Sequence, residues 1–524
     1  MDLTDEMQYY GQIKGLIESG KLFSNDLFIQ QLVYILFYPV FYLYHLVFDF
    51  EGLVFFGRIL MSLISISLFL YAYQKLKSFK FPDTIAGLTA LSMVFAVPYH
   101  GIFAPSYNTI SQVLWIVFTL RFFEWKRSGA ISWGIFPIIM FFAHQPSAVA
   151  ITLLVLVRLL VERKFKQIGR LFLVFSGCVI IVIPIMLYFA TPQEYLASIT
   201  FSSGYGVGTN LFSGKGQYKV LIIIYGLFFS SLFFSRRLSA KYLALLTFTG
   251  LVITIILFSA GLFHYECPWW VVYALPYLSA LAYCWALSHW FAVEIKSWER
   301  IHWLAVLLLL FATTLALTSS NGITQSRGAF MVGLPLLLGF AATRAPNKEI
   351  TGYRFLKNSC VILLLALFVV HWISFPYQEA RWWHTNYPLK SVPEFRLIKT
   401  SLERSEFINR MQQLLGPFAN NKKALIVGRI PALYFALDAS AETCMFCMHS
   451  IKSERSEKVL LTCLDKKSPE IVIDFSSEGS RINSVMKEYC NSKKLSCVVD
   501  TIEFPLNSNL TPNQLSFSVC KPTI

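Results

Sequence analysis

The sequence predicts a polytopic α-helical membrane protein with about twelve transmembrane helices, followed by a small C-terminal α/β domain. Three observations carry this prediction. Only 14% of the 524 residues are charged and 55% are hydrophobic, whereas a soluble domain carries about 25% charged residues. Apolar runs long enough to cross a bilayer recur from residue 53 to residue 375. From about residue 390 these runs stop and charged residues become frequent, which indicates a separate domain over residues 390–524.

The predicted transmembrane domain covers residues 53–375, because a helix of about 20 apolar residues spans the hydrocarbon core. Two short runs joined by His144-Gln145-Pro146 indicate one hairpin of half-length helices. In chain order the apolar runs are Leu53–Tyr73, Thr84–Pro98, Thr109–Phe123, Ile131–Phe142, Ser147–Leu160, Gly169–Phe189, Tyr218–Phe234, Tyr242–Phe263, Trp269–Ala292, Ile301–Leu317, Ala329–Ala342 and Asn358–Phe375.

Positive charge predicts the orientation. Residues 1–389 contain 27 Lys and Arg residues, of which 20 fall in six short segments. Cytoplasmic loops are enriched in Lys and Arg, so these segments are predicted to be cytoplasmic and the C-terminal domain extracytoplasmic. The net charge of +15 therefore reflects topology, and no nucleic-acid partner is expected. The six segments are Lys75–Lys80, Arg121–Arg127, Arg158–Arg170, Arg236–Lys241, Lys296–Arg300 and Arg344–Lys357.

The first 50 residues allow two readings. Residues 1–29 are predicted to form a first outer loop, and residues 30–50 an interfacial or transmembrane helix. Pro39 divides this apolar segment, and its many Tyr and Phe residues suit a helix lying on the membrane surface. If the helix lies flat, residues 1–29 are outside the cell, and if it spans, they are inside.

The C-terminal domain is predicted to mix short strands and helices. Six of the ten cysteines lie there, and an oxidising outer compartment would permit disulfides. Buried free thiols are one alternative, and a half metal site or redox motif at Cys444, Cys447 and His449 is another. The predicted strands are Lys423–Val427, Glu470–Phe475, Ser496–Phe504 and Gln514–Val519, and the predicted helices are Pro431–Leu437 and Asn483–Tyr489.

Asp5 and Glu6 open the chain and are followed by Tyr9. Paired carboxylates just outside a membrane can act as a general base on an acceptor, or can hold a divalent metal that neutralises a phosphate leaving group. The alternative is a solvated, acidic start of a helix.

The order of these motifs resembles the GT-C class of membrane glycosyltransferases, which includes the protein O-mannosyltransferases and the bacterial lipid A aminoarabinose transferases. Members carry Asp-Glu in the first outer loop, then a Tyr, an interfacial segment with Pro, and an Arg-led helix ending in a basic turn. The corresponding residues here are Asp5-Glu6, Tyr9, Pro39, Arg58 and Lys75–Lys80, with a later run Tyr273-Ala274-Leu275-Pro276-Tyr277-Leu278.

The resemblance implies an enzyme of a bacterial inner membrane that moves a sugar from a polyprenyl-phosphate donor to a lipid, glycan or protein acceptor. Asp5 would be the base, or a metal ligand if a divalent metal is used, and Glu6 would support it. Arg327 and Lys215 would hold the donor phosphate. Each also has a simpler reading: Arg327 suits an interfacial anchor, and Lys215 lies in a Gly-rich loop.

Further binding residues are expected around the same site. His264 and Glu266 sit beside Trp269-Trp270 and could contact a sugar, or could belong to an ordinary interfacial belt of aromatic residues. Tyr9 and Asn108 are expected to contact the substrate. Many members have an acidic residue where this chain has Asn108, and a neutral amide cannot serve as a base, so metal dependence stays open. Members also have a helix before the Asp-Glu loop, so we expect a missing N-terminal helix.

Two other functions compete with this one. An O-antigen ligase or polymerase would make a similar product, but such enzymes usually lack a sizeable C-terminal outer domain. A non-enzymatic transporter or flippase predicts ionisable residues paired at mid-membrane, whereas the charges of this sequence cluster at the ends of the apolar runs.

Overall fold

The computed structural model describes residues 5–95, 97, 103–124, 130–204, 327–344, 385–428, 430–446, 454–476, 480–503 and 514–522, with single positions between 307 and 365. Within these residues the chain is mostly helical. Three helical stretches are long and apolar enough to cross a membrane, namely Ile29–Phe48, Leu53–Ser78 and Phe165–Phe189. The fold is therefore compatible with a membrane protein. The predicted apolar runs Tyr218–Phe234, Tyr242–Phe263 and Trp269–Ala292 lie outside the described residues, as do most positions of the runs Ile301–Leu317 and Asn358–Phe375.

We number the described helices in chain order. Each apolar run predicted in the described part of the chain is present as a helix, usually a few residues longer at its ends. The helices are α1 (Asp5–Ser19), α2 (Val33–Phe48), α3 (Leu53–Ser78), α4 (Asp83–Phe95), α5 (Tyr107–Phe123), α6 (Ala130–Ala143), α7 (Gln145–Val161), α8 (Phe165–Phe189), α9 (Pro192–Gly204), α10 (Arg327–Arg344), α11 (Leu402–Ala419), α12 (Ala432–Ala436), α13 (Glu454–Leu464) and α14 (Arg481–Ser492).

The C-terminal part contains a five-stranded mixed sheet with the strand order β4-β3-β5-β7-β6. Strand β3 pairs in parallel with β4 and β5, whereas β7 pairs antiparallel with β5 and β6. Both elements of a smaller pair, β1 and β2, precede it. The strands are β1 (Tyr387–Pro388), β2 (Lys399–Thr400), β3 (Lys423–Val427), β4 (Ser440–Ala441), β5 (Ile471–Asp474), β6 (Leu495–Glu503) and β7 (Gln514–Pro522).

The four predicted strands all appear in this sheet, because each is a short run of apolar or β-branched residues that is bounded by polar residues. In the described part of the chain two disulfides are present, Cys444–Cys463 and Cys497–Cys520. Cys444 is therefore bonded to a partner other than the metal-motif residues Cys447 and His449, both of which lie outside the described residues.

One end of the helical part carries the basic turns. Lys75, in the last turn of α3, pairs with Glu124 at the end of α5. Arg158, near the end of α7, donates to the carbonyl of Phe122 at 3.0 Å. The ends of α3, α5 and α7 that were predicted to be cytoplasmic therefore lie together.

The opposite end carries the C-terminal sheet and α1. Gly52, just before α3, donates its amide to the carbonyl of Pro393 at 2.9 Å, and Leu22 donates to the carbonyl of Phe189 at the end of α8 at 2.9 Å. Helices α3 and α8 connect the two ends. Their 26 and 25 residues correspond to about 39 and 38 Å at 1.5 Å per residue, which is enough to cross a bilayer.

Helix α2 lies across this second end. Tyr38 contacts Phe189 of α8 with ring centroids 5.1 Å apart, and Tyr44 stacks on Phe56 of α3 at 4.1 Å. Phe56 lies in the first turn of α3 and Phe189 is the last residue of α8, so α2 bridges two helix ends. Its outward face is apolar and includes Leu43 and Val47, which are 63% and 72% exposed.

Helices α6 and α7 form the predicted hairpin of short helices. The turn between them reaches the middle of α5, where Trp115 donates its ring N–H to Ser147 Oγ at 3.0 Å. His144, at the turn, is hydrogen-bonded to the same hydroxyl at 2.6 Å. The buried polar groups of the turn therefore satisfy one another within the helical core.

Candidate functional site

Helix α1 lies buried at the sheet-bearing end. Its buried side chains include the apolar Met7, Tyr10 and Ile13 and also the polar Glu6 and Gln12, so more than one face of the helix is covered. Tyr10 is fully buried and donates its hydroxyl to the carbonyl of Val54 in α3 at 3.2 Å. Burial raises the pKa of Tyr10 well above its ordinary value, so this hydroxyl stays a neutral donor.

Glu6 forms a two-pronged ion pair with Arg58 of α3. Arg58 donates Nε to Glu6 Oε1 at 2.9 Å and Nη2 to Oε2 at 2.8 Å. Glu6 is 2% exposed, so the pair fixes the start of α1 against α3 from within the protein. The alternative of a solvated acidic helix start does not describe Glu6. Asp5 is the first residue of the same helix and directly precedes Glu6.

Tyr9 and Asn108 meet although they are 99 residues apart. Asn108 donates its side-chain amide to the Tyr9 hydroxyl at 3.2 Å, and the rings of Tyr9 and Tyr107 pack edge to face. Asn108 lies in the first turn of α5, whose start is fixed by a capping box between Ser106 and Thr109. The capped helix start thus presents Asn108 to α1.

Asp26 is a buried carboxyl group that is not among the predicted site residues. It is 1% exposed. Its Oδ2 accepts from Gln12 Nε2 at 2.8 Å and Gln8 Nε2 at 3.3 Å, and its Oδ1 accepts from the amide of Phe28 at 2.9 Å. Burial raises the pKa of Asp26 to about 6, although the hydrogen bonds oppose this shift. The only signal in the sequence is the i, i+4 spacing of two Gln residues on α1.

The C-terminal part covers the other side of α1. Lys14 pairs with Glu394 at 2.7 Å, and Leu27 donates its amide to the carbonyl of Cys444 at 2.9 Å. Gly11 faces the ring of Phe446, which an added Cβ would approach to 3.0 Å. Helix α1 is therefore packed between α3 and the C-terminal part, and the Glu6–Arg58 pair holds one side of it.

Arg327 begins α10, which packs along α4. Phe340, near the other end of α10, contacts Phe81 and Phe123 at the basic end of the helical part. An 18-residue helix is about 27 Å long, so the Arg327 end of α10 lies toward the end that carries α1. Lys215, His264 and Glu266 lie outside the described residues.

The described oxygen atoms around α1 do not fit a divalent metal. Such ions require several carboxylate or carbonyl oxygens that converge on one point. Both Glu6 oxygens accept from Arg58, the Asp26 oxygens accept from amide groups, and Asn108 turns its amide nitrogen toward Tyr9. We therefore derive no chemical step through a metal bound by these residues.

The arrangement fixes Glu6 beside the end of the helical part, next to Asp5, the first residue of the same helix. Tyr9 and Asn108 supply neutral hydrogen-bonding groups nearby. Comparison of the chain with protein-family models, with curated proteins and with solved structures finds no match. The described residues therefore define a mostly helical protein that is compatible with a membrane, with a polar site at its α1 end.

Proposed function

We propose that the chain is a GT-C-like glycosyltransferase that moves a sugar from a polyprenyl-phosphate donor to a lipid, glycan or protein acceptor. One observation carries the proposal. Glu6 contacts Arg58 and Tyr9 contacts Asn108, so residues that the resemblance picks out at four separate positions meet around one helix. Packing alone does not require the polar residues of that motif to meet, and their convergence supports a common role.

In this proposal each residue has a role that its side-chain chemistry allows. Asp5 acts as general base on the acceptor, because a carboxylate can take the acceptor proton as the bond to the sugar forms. Glu6 and Arg58 position Asp5 by fixing the start of α1. Arg327 and Lys215 bind the donor phosphate, and His264, Glu266, Tyr9 and Asn108 contact the substrates.

The proposed topology has about twelve transmembrane helices in a bacterial inner membrane, with the C-terminal domain and the site on the outer face. The separation of basic turns from the sheet-bearing end supports it, since basic loops are retained in the cytoplasm. The ring contacts of α2 support the flat, interfacial reading of residues 30–50.

The test is transfer from a polyprenyl-phosphate sugar by the full-length protein in lipid nanodiscs. We expect Asp5→Asn to lower the rate about 100-fold or more, because a general base contributes about that factor. Asp49→Asn is the matched control, since Asp49 is highly exposed at the α2–α3 turn and undergoes the same chemical change. Transfer at the wild-type rate by Asp5→Asn would overturn the proposal.

A further inference from the structure

Three cysteine side chains meet in the C-terminal sheet. Cys490 lies near the end of α14, Cys497 on β6 and Cys520 on β7, and their Sγ atoms all lie within 4.8 Å of one another. Cys497 and Cys520 face each other across the β6–β7 ladder and form a disulfide, whereas Cys490 is a free thiol. A thiol therefore lies beside a disulfide.

We propose that these three cysteines form a thiol–disulfide exchange site, in which Cys490 exchanges with the Cys497–Cys520 bond and leaves Cys497 as a thiol that can react with external thiol or disulfide compounds. The Cys490 thiolate attacks Sγ of Cys520. The Cys490–Cys520 bond forms as the Cys497–Cys520 bond breaks, and Cys497 leaves with the electron pair. The proton given up by Cys490 is regained by Cys497, so the step consumes no oxidant or reductant.

Burial decides which sulfur leaves. Cys490 and Cys520 are 8% and 2% exposed, whereas Cys497 is exposed. A thiolate released into water is better stabilised than one released into the interior of the sheet. Attack on Cys520 therefore releases the exposed Cys497, and attack on Cys497 would release a buried thiolate. The exchange therefore consumes a buried thiol, Cys490, and produces an exposed thiol, Cys497.

The same burial makes the exchange slow at neutral pH. Burial, together with a smaller contribution from the charge of Asp474 on β5, raises the pKa of the Cys490 thiol to about 11. Tyr489 is the neighbouring titratable group on α14, and burial raises its pKa to about 12. Because the attacking species is the thiolate, the rate is expected to rise about tenfold per pH unit up to the pKa of Cys490.

The test uses the full-length chain, purified in detergent without reductant and incubated between pH 7 and pH 10.5. Samples are quenched with acid, alkylated with N-ethylmaleimide and digested, and mass spectrometry then identifies disulfides and labelled thiols. We expect the Cys490–Cys520 disulfide to appear together with labelled Cys497, about tenfold faster per pH unit. Labelling of Cys490 alone, with Cys497 unlabelled at every pH, would overturn the proposal.

Two variants test the geometry directly. Cys497→Ser should form the Cys490–Cys520 disulfide on mild oxidation. In this variant Cys490 and Cys520 are the two thiols that remain of the three neighbouring cysteines. Cys490→Ser is the matched control, and in it Cys497 should stay unlabelled at all times. If Cys490 and Cys520 are both alkylated after oxidation of Cys497→Ser, the exchange site is ruled out. Cys178→Ser removes a thiol on α8 and should change none of these results.

Discussion

Glu6 and Arg58 are 52 residues apart in the chain, and both oxygens of the carboxylate accept from the guanidinium. Such a pair is costly to bury, but once it is formed the loss of one partner leaves an uncompensated charge in a place that water reaches poorly. The pair therefore specifies how α1 sits on α3 more than it adds stability. The backbone of Asp5, the residue before Glu6 in the same helix, is placed by the same contact.

We expect Arg58→Gln to destabilise the protein by about 3 kcal/mol, because the buried carboxylate of Glu6 then loses two charge-assisted hydrogen bonds from the guanidinium. The double variant Glu6→Gln with Arg58→Gln should recover part of this loss, since neither charge is then unpaired. Chemical denaturation in detergent measures both effects. The single variant Glu6→Gln completes the comparison. If the losses of stability in Glu6→Gln and Arg58→Gln add up to the loss in the double variant, the two residues are not coupled.

Asp26 gives the stability a pH dependence with a defined sign. Its pKa is about 6 in the folded protein and 3.8 in the absence of burial. Between these values the folded protein holds a proton that the unfolded chain has lost, so the contribution of Asp26 to stability falls as the pH rises from about 4 to 6. Above pH 6 both states are ionised and the contribution is constant.

We expect the free energy of unfolding of Asp26→Asn to rise by about 3 kcal/mol relative to that of the wild type as the pH rises from 4 to 7. The reason is that the amide has no charge to bury. The measurement is the free energy of unfolding of both proteins across that range. Asp49→Asn serves as control for the chemical change itself, because Asp49 is exposed. A constant difference between Asp26→Asn and the wild type would rule out a titrating Asp26.

At the scale of the elements, the contact between α1 and α3 depends on one glycine. An ideal Cβ on Gly57 would lie 2.3 Å from the hydroxyl oxygen of Tyr10 and 2.5 Å from its ring. Tyr10 is fully buried and bonded to Val54, so its ring has little room to move. Gly57 thus permits a close approach of two helices.

Gly57→Ala is therefore expected to destabilise the protein by about 1–3 kcal/mol through overpacking. Gly87→Ala on α4 is the matched control, because no described atom lies within 4 Å of its added Cβ, and this change should be neutral or stabilising by up to about 1 kcal/mol. Thermal unfolding in detergent reports both. Equal stability of the two variants would show that α1 does not pack on α3 in this way.

The two ends of the helical part differ in charge and in the elements that lie there. Lys164 and Lys166 lie at the start of α8, and Lys75 lies in the last turn of α3 at the same end. The other end carries α1 and the C-terminal sheet. This separation lets the orientation be measured with one exposed position at each end.

We expect a membrane-impermeant maleimide to label Lys399→Cys on β2 in intact cells, and to label Lys166→Cys on α8 only after permeabilisation. Both positions are exposed and basic in the parent protein, so the two variants are matched in chemistry. The parent chain gives the background from its own thiols. Labelling of Lys166→Cys in intact cells, with Lys399→Cys protected, would reverse the proposed orientation.

Local patterns were enough to predict most described elements. Strand β3 was predicted at its observed bounds, and the helices α3 to α8 follow their apolar runs, because a continuous apolar run has few other ways to satisfy its backbone in a membrane. Residues 1–29 are predicted as a loop, whereas the structure has α1 there, because the apolar residues of this helix are interrupted by polar ones and its apolar character is weak. Its helical form depends on contacts with α3 and the C-terminal part.

The site was predicted only in part for the same reason. The order Asp5-Glu6, Tyr9 and Arg58 could be read along the chain, but the pairing of Glu6 with Arg58 and of Tyr9 with Asn108 could not, because pairing is a property of distance in space. Asp26 is not among the predicted site residues, because the residues next to a lone Asp in the chain do not show whether its side chain is buried.

Residues that are close in the chain account for the membrane-compatible composition, the helical runs, the strands of the C-terminal sheet and the charge asymmetry between the loops. Packing between distant elements is what buries α1, raises the pKa of Asp26 to about 6 and places Cys490 beside the Cys497–Cys520 disulfide. Burial and a titration shift both arise from neighbours that are distant in the chain, and those neighbours are fixed only when the elements pack.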